Sequence, residues 1–112
     1  RTWNSPESSE RFASIVAKEA LSSTPRPNVL LCMSDLIALA AMREALKMGL
    51  SIPEDVRIVG FDGIDEGQRF VPKLTTVHQN SEEKGRIAAT LFLSKEQQTA
   101  EIDYQLQLGQ SS

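Results

Sequence analysis

"VRIVGFDGIDEG", Val56 to Gly67, decides the fold. A run of strand-forming apolar residues stops at Asp62, and a glycine-rich acidic loop follows. Such a run reads as a buried strand. In open α/β sheets, ligands lie beyond the carboxyl ends of the strands. An acid on the last rung therefore has two readings. It forms an Asx-turn with Gly63, or it reaches for a ligand. The stretch itself leaves both open.

Working outward, "WNSPESSERFASIVAKEAL" predicts a helix, with Ser5 as N-cap, Pro6 in the first position and Glu7 favouring the positive end of the dipole. Phe12, Ile15, Val16 and Ala20 supply its apolar face. The prolines of "SSTPRPN" break it, and "VLLCM" predicts a short strand covered on both faces. "SDLIALAAMREALKMGL" predicts a second helix, started by Ser34 or Asp35, with a stripe of Leu36, Leu39, Ala40 and Leu46. Gly49 takes the left-handed stop position, with Leu50 folding back. "SIPED" is a turn. Beyond the acidic loop, "TTVHQ" is extended, and Asn80 with Glu83 caps a helix carrying Ile87, Ala88, Leu91 and Phe92. Ile102, Tyr104, Leu106 and Leu108 alternate as a half-buried strand.

The order α-β-α-β-β-α-β predicts an α/β fold, a largely parallel sheet with flanking helices. A chain that opens on a helix lacks the leading strand of its first βαβ unit, so part of a larger domain is expected. With 112 residues it forms about one small domain, and 40% hydrophobic with 24% charged residues is ordinary for a soluble globular protein. A net charge of -3, without any basic cluster, gives no footprint for direct nucleic-acid binding. No membrane span or signal peptide is expected. The single cysteine, Cys32, excludes an internal disulfide and a cysteine-based metal cluster.

The strand-end rule singles out three residues. Asp62 ends one strand, Ser34 follows another, and Trp3 lies where an absent preceding strand would end. A carboxylate, a hydroxyl and an indole face together suit a small polar ring in a cleft. Each also has a plainer reading: Ser34 as a helix N-cap and Trp3 as a packing residue. Asp35 reads as a helix-start acid supporting the dipole. His78 has no second imidazole with which to share a metal, and Cys32 reads as a buried small hydrophobe. Asp65, Glu66, Glu82 and Glu83 read as solvated charges. No nucleophile is paired with a base, so no catalytic residue, cofactor or metal is expected.

Four blocks then occur in order: "SDLIALAAMREA", "GLSIPEDV", "VGFD" and "PKLTTVHQ". Together with "WNSPES" they resemble the effector domain of lactose-repressor/galactose-repressor family transcription regulators, over roughly Trp3 to Leu93. The resemblance implies a two-lobed, periplasmic-binding-protein-like type I fold, of which this chain is a part, binding a small effector between its lobes. It implies that Trp3, Ser34 and Asp62 contact that effector, a sugar or nucleobase-like molecule. Leu39, Arg69 and Phe70 match positions on the subunit interface, which implies a homodimer. Residues 1–80 match one lobe; residues 81–112 match a crossover helix and final strand associated with the other lobe. DNA would be bound only through an N-terminal headpiece absent from this chain. There are departures: Ala40 stands where glycine is usual, Gly63 where a second Asp or Asn is common, and "LQLGQSS" lacks an arginine often seen near the last strand.

The expected function is that of an allosteric effector-sensing region in a cytoplasmic regulator, without membrane contact. The alternative is a periplasmic sugar-binding protein of a transporter, which shares the fold and the "GFDGIDEG" type of loop. A phosphoacceptor receiver domain lacks its further acids and late lysine, and an enzyme lacks an acid–base pair.

Overall fold

The computed structural model describes residues 1–4, 9–94 and 99–112. The elements run α1 (Glu10–Leu21), β1 (Val29–Leu31), α2 (Asp35–Lys47), β2 (Arg57–Asp62), α3 (Asp65–Arg69), β3 (Thr75–Gln79), α4 (Ser81–Ser94) and β4 (Tyr104–Gln107). The sheet order is β1-β2-β3-β4. β1, β2 and β3 are parallel, in registers Leu30↔Ile58 and Val59↔Thr75, and β4 joins β3 antiparallel. The α/β class and the mostly parallel sheet are as the sequence indicates.

Local signals explain most boundaries. The Ser34 Oγ accepts from the Ile37 N–H at 3.3 Å, starting α2. Gly49 stops it at φ 75°: Gly49 N–H donates to Leu46 O and Leu50 N–H to Ala45 O, both at 3.0 Å. Those two bonds are the Schellman pair. Asn80 Oδ1 accepts from Glu83 N–H at 3.1 Å and starts α4.

Ser5, Pro6 and Glu7 lie outside the described residues, and α1 starts at Glu10, with Ser9 Oγ accepting from Phe12 N–H. Its buried face is Ala13, Ala17, Ala20 and Leu21, so of the expected stripe Phe12, Ile15, Val16 and Ala20 only Ala20 is buried. α1 packs on α2, whose own buried face includes Ala38, Ala41 and Ala45. Small side chains on both helices let the axes approach closely and push bulkier residues to the margin. For the same reason Leu36 and Leu46 of the α2 stripe are exposed, while Leu39, Ala40 and Met42 go inside.

β1 is an edge strand and is not covered on both faces. Leu30 is buried, but Val29 and Leu31 are exposed, Leu31 at 78%. The buried side of the sheet is the one α2 covers, where Ile58 and Gly60 of β2 also point. The main packing of β1 is its pairing with β2. β4 likewise forms without being half-buried: Tyr104, Leu106 and Leu108 are exposed. α3 was not expected; its five residues are too few to show a periodicity.

Met42, Val56, Ile58 and Leu74 are fully buried and form the centre of the core. Ser111 stitches the amino ends of β2 and β3. Its Oγ donates to Ile58 O at 2.5 Å and accepts from Thr75 N–H at 2.9 Å, while its carbonyl accepts from Ile58 N–H at 2.7 Å. With one end of the sheet closed in this way, the carboxyl end of β1–β3 stays accessible for chemistry.

Candidate functional site

Parallel pairing delivers the ends of β1, β2 and β3 to one edge. Ser34 follows β1, Asp62 is the last residue of β2, and Gln79 is the last of β3. Asp62 is half-buried and stands at φ 135°, a backbone region that side chains other than glycine rarely occupy. Its Oδ1 accepts from Gln79 Nε2 at 3.2 Å. The other face of that amide is held from α4: Lys84 Nζ donates to Gln79 Oε1. The acid at the strand end is thus the first member of a chain Asp62–Gln79–Lys84 that links the sheet to α4.

Two cavities flank this edge. One, of about 230 Å³, is lined by residues including Phe61, Gln79, Lys84 and Tyr104. The other, of about 280 Å³, has Gly63, Gln68, His78 and Gln105 among its walls. The His78 ring shares a hydrogen bond with Gly63 O through Nδ1 at 3.2 Å, a contact that ties the loop to β3.

Sequence reasoning missed the residue that organises the edge. Asp35 is completely buried. Its Oδ2 accepts from the backbone N–H groups of Gly63 and Ile64, each at 2.8 Å, and its Oδ1 accepts from Thr76 Oγ1 at 2.5 Å. It is therefore more than a helix-start acid supporting the dipole. The local sequence looks the same for either role, because its partners lie 28 to 41 residues away. The one available signal was the glycine pattern: Gly60, opposite Asp35, has no side chain to obstruct the carboxylate.

The remaining sequence-singled residues sit as follows. Ser34 caps α2 next to Asp35, on the same edge as Asp62. Trp3 is half-buried against the core cluster, with the Arg1 guanidinium 5.3 Å from its ring centroid. Its indole Nε1 is buried and has no hydrogen-bond partner among the described residues. Leu39 is only 3% exposed and is a core residue. Arg69 is exposed and pairs with Asp65 at 3.4 Å, and Phe70 packs half-buried on the core.

Cys32 N–H donates to Val59 O at 2.8 Å, and the thiol is pushed up from 9.0 to about 12, first by burial and then by the negative charge of Asp35. The folded chain holds that proton while the unfolded chain releases it from about pH 9. Stability from this group is therefore intact below pH 9 and is lost as pH rises from 9 toward 12. Urea denaturation at stepped pH is expected to show wild type losing stability more steeply than Cys32→Ser above pH 9. A difference between the two that does not vary with pH would contradict this account.

A periplasmic binding protein-like domain model matches residues 1–108. An HTH-type transcriptional repressor PurR from Aliivibrio fischeri is 37% identical over 76 residues, which is 68% of this chain and 23% of the repressor. A LacI family transcriptional regulator from Bifidobacterium animalis subsp. lactis superposes with a TM-score of 0.88 at 27% identity, covering 95% of this chain and 41% of that one. Another LacI family regulator, from Lactobacillus casei and with bound glucose, gives 0.80 at 25% identity, covering 93% and 40%. The chain spans about a quarter of the length of such curated relatives. No helix among the described residues is long and apolar enough to cross a membrane. This chain belongs to the periplasmic binding protein-like domain family, as part of an effector-binding domain of the lactose-repressor/galactose-repressor type.

Proposed function

We infer that this chain is the effector-sensing and dimerisation region of a cytoplasmic transcription regulator, and that its effector is a small polar ring, a sugar or a nucleobase-like molecule. The observation that carries this reading is Asp62: a carboxylate at the carboxyl end of a parallel strand, in a rarely occupied backbone conformation, beside Gln79. Its oxygens accept hydrogen bonds from ring hydroxyl or N–H groups. Ser34 on the neighbouring strand end and the indole of Trp3 complete the contact set. The glucose held by the Lactobacillus casei regulator supports a sugar-sized ligand.

Residues 1–80 make up one lobe portion, and α4, at the start of residues 81–112, leads toward the other, while β4 and Ser111 return to the first lobe's sheet. α4 supports that division, since none of its described residues is buried and Phe92 is 83% exposed. Effector binding favours one lobe arrangement and so shifts DNA binding by a headpiece outside this chain. The homodimer face includes Arg69 and Phe70, with Leu39 supporting them from the core side.

The test is a thermal-shift screen of the regulator that carries this chain, against sugars, nucleosides and purine bases, with Asp62→Ala in parallel. A ligand that binds the native state raises the melting temperature. Hydrogen bonds to a charged acceptor contribute about 1.5–3 kcal/mol, so Asp62→Ala is expected to weaken the hit roughly tenfold or more. A hit with unchanged affinity in Asp62→Ala would return Asp62 to the role of turn residue.

A further inference from the structure

We propose that Asp35 is the positioning residue of this site: its buried carboxylate sets the backbone that presents Asp62. The proposal rests on the effector reading above for its purpose, but its structural content stands apart from it.

The loop after β2 is unusual in its backbone. Asp62 at φ 135° is followed by Gly63 at φ 80°, two consecutive residues in conformations that cost energy or require glycine. Such a conformation persists only where surrounding contacts over-determine it. Beside the bonds from His78 to Gly63 O and from Gln79 to Asp62, both backbone N–H contacts here come from one side chain. Asp35 Oδ2 receives both N–H groups that follow Asp62, Gly63 and Ile64, at 2.8 Å each. Two adjacent N–H groups converging on one oxygen fix the direction of the chain as it leaves Asp62. The loop's own short helix does not supply that anchor, since α3 has no side-chain cap.

The carboxylate is itself locked. Its other oxygen is held by Thr76 Oγ1 on β3, and it lies at the amino end of α2, where the helix dipole favours negative charge. Gly60 leaves room for it: a Cβ there would stand 2.2 Å from Oδ1. Asp35 thereby joins the starts of α2 and of the β2–α3 loop to the second residue of β3. Ser34 and Asp62, which immediately precede the first two, and Gln79, which ends β3, keep a fixed spacing as a result.

Amide hydrogen exchange followed by NMR on this chain tests the proposal without any effector. Asp35→Asn keeps the size of the side chain but removes its charge, and a charge-assisted bond is roughly twice as strong as a neutral one. Exchange at Gly63 and Ile64 is expected to accelerate about tenfold or more relative to Ile58, whose N–H bonds to Ser111 and not to Asp35. Thr76→Val removes only the third contact and is expected to leave Gly63 and Ile64 more protected than Asp35→Asn does. If Asp35→Asn raises exchange equally at Gly63, Ile64 and Ile58, the residue supports the whole fold and positions nothing in particular, and the proposal fails. It also fails if no exchange rate changes. Local acceleration combined with an effector affinity that ignores Asp62→Ala would sink the effector reading while leaving the clamp intact.

Discussion

Gly60→Ala is expected to destabilise the fold by about 3 kcal/mol or more, a large share of what a domain of this size has to lose. The added methyl would lie 2.2 Å from Asp35 Oδ1, 3.0 Å from Leu74 Cδ2 and 3.2 Å from Asp35 Cγ. Neither neighbour has room to yield. Asp35 is completely buried and bound by three donors, and Leu74 is completely buried in the core. β2 is equally fixed, because it pairs with β1 on one side and β3 on the other. The strain therefore ends either as a shifted strand or as a displaced carboxylate. Displacing the carboxylate leaves Gly63 N–H, Ile64 N–H and the Thr76 hydroxyl short of their acceptor. The urea midpoint reports the loss, with an unchanged denaturant slope indicating that stability alone has moved. A change under 1 kcal/mol would mean that Asp35 is free to withdraw, which would also undercut its role as a clamp.

This contact shows which parts of the architecture were legible in the sequence. Signals confined to a few adjacent residues carried through: Ser34 as a cap, Gly49 with Leu50 as a stop, Asn80 with Glu83 as a helix start, and Asp62 on the last rung of β2. Those features depend on backbone groups within about one turn of the residue that marks them. Features decided by distant partners did not carry through. Asp35 has the same neighbours in sequence whether it faces water or three buried donors. The alanine faces of α1 and α2 are a property of the pair, so a reading of α1 alone favours its larger residues, Ile15 and Val16. β1 has the composition of a strand covered twice, yet Val29 and Leu31 are open on one side. The three candidate contacts themselves came from the strand-end rule and the family blocks, and Gln79, the partner of Asp62, became visible only once β2 and β3 were in register.

At position 62 the usual order of alanine and glycine is expected to reverse. In an ordinary strand, glycine is less stable than alanine by roughly 0.5–1 kcal/mol, because it loses more backbone freedom on folding. Asp62 stands at φ 135°, where a Cβ is strained by an amount on the order of 1–3 kcal/mol and glycine by almost none. Asp62→Gly should therefore be more stable than Asp62→Ala by about 1 kcal/mol, read as a difference in urea midpoint at equal slope. Both variants lose the bond from Gln79 Nε2, so that contact cancels between them. Both also lack the carboxylate and are expected to lose effector affinity alike. Stability that rises from Ala to Gly while affinity stays equally poor in both would separate two roles of one residue: the backbone bears a strain, and the side chain supplies the reason to keep it. Alanine more stable than glycine would mean that the φ of 135° relaxes in solution, and Asp62 would then be an ordinary turn residue whose acid faces water.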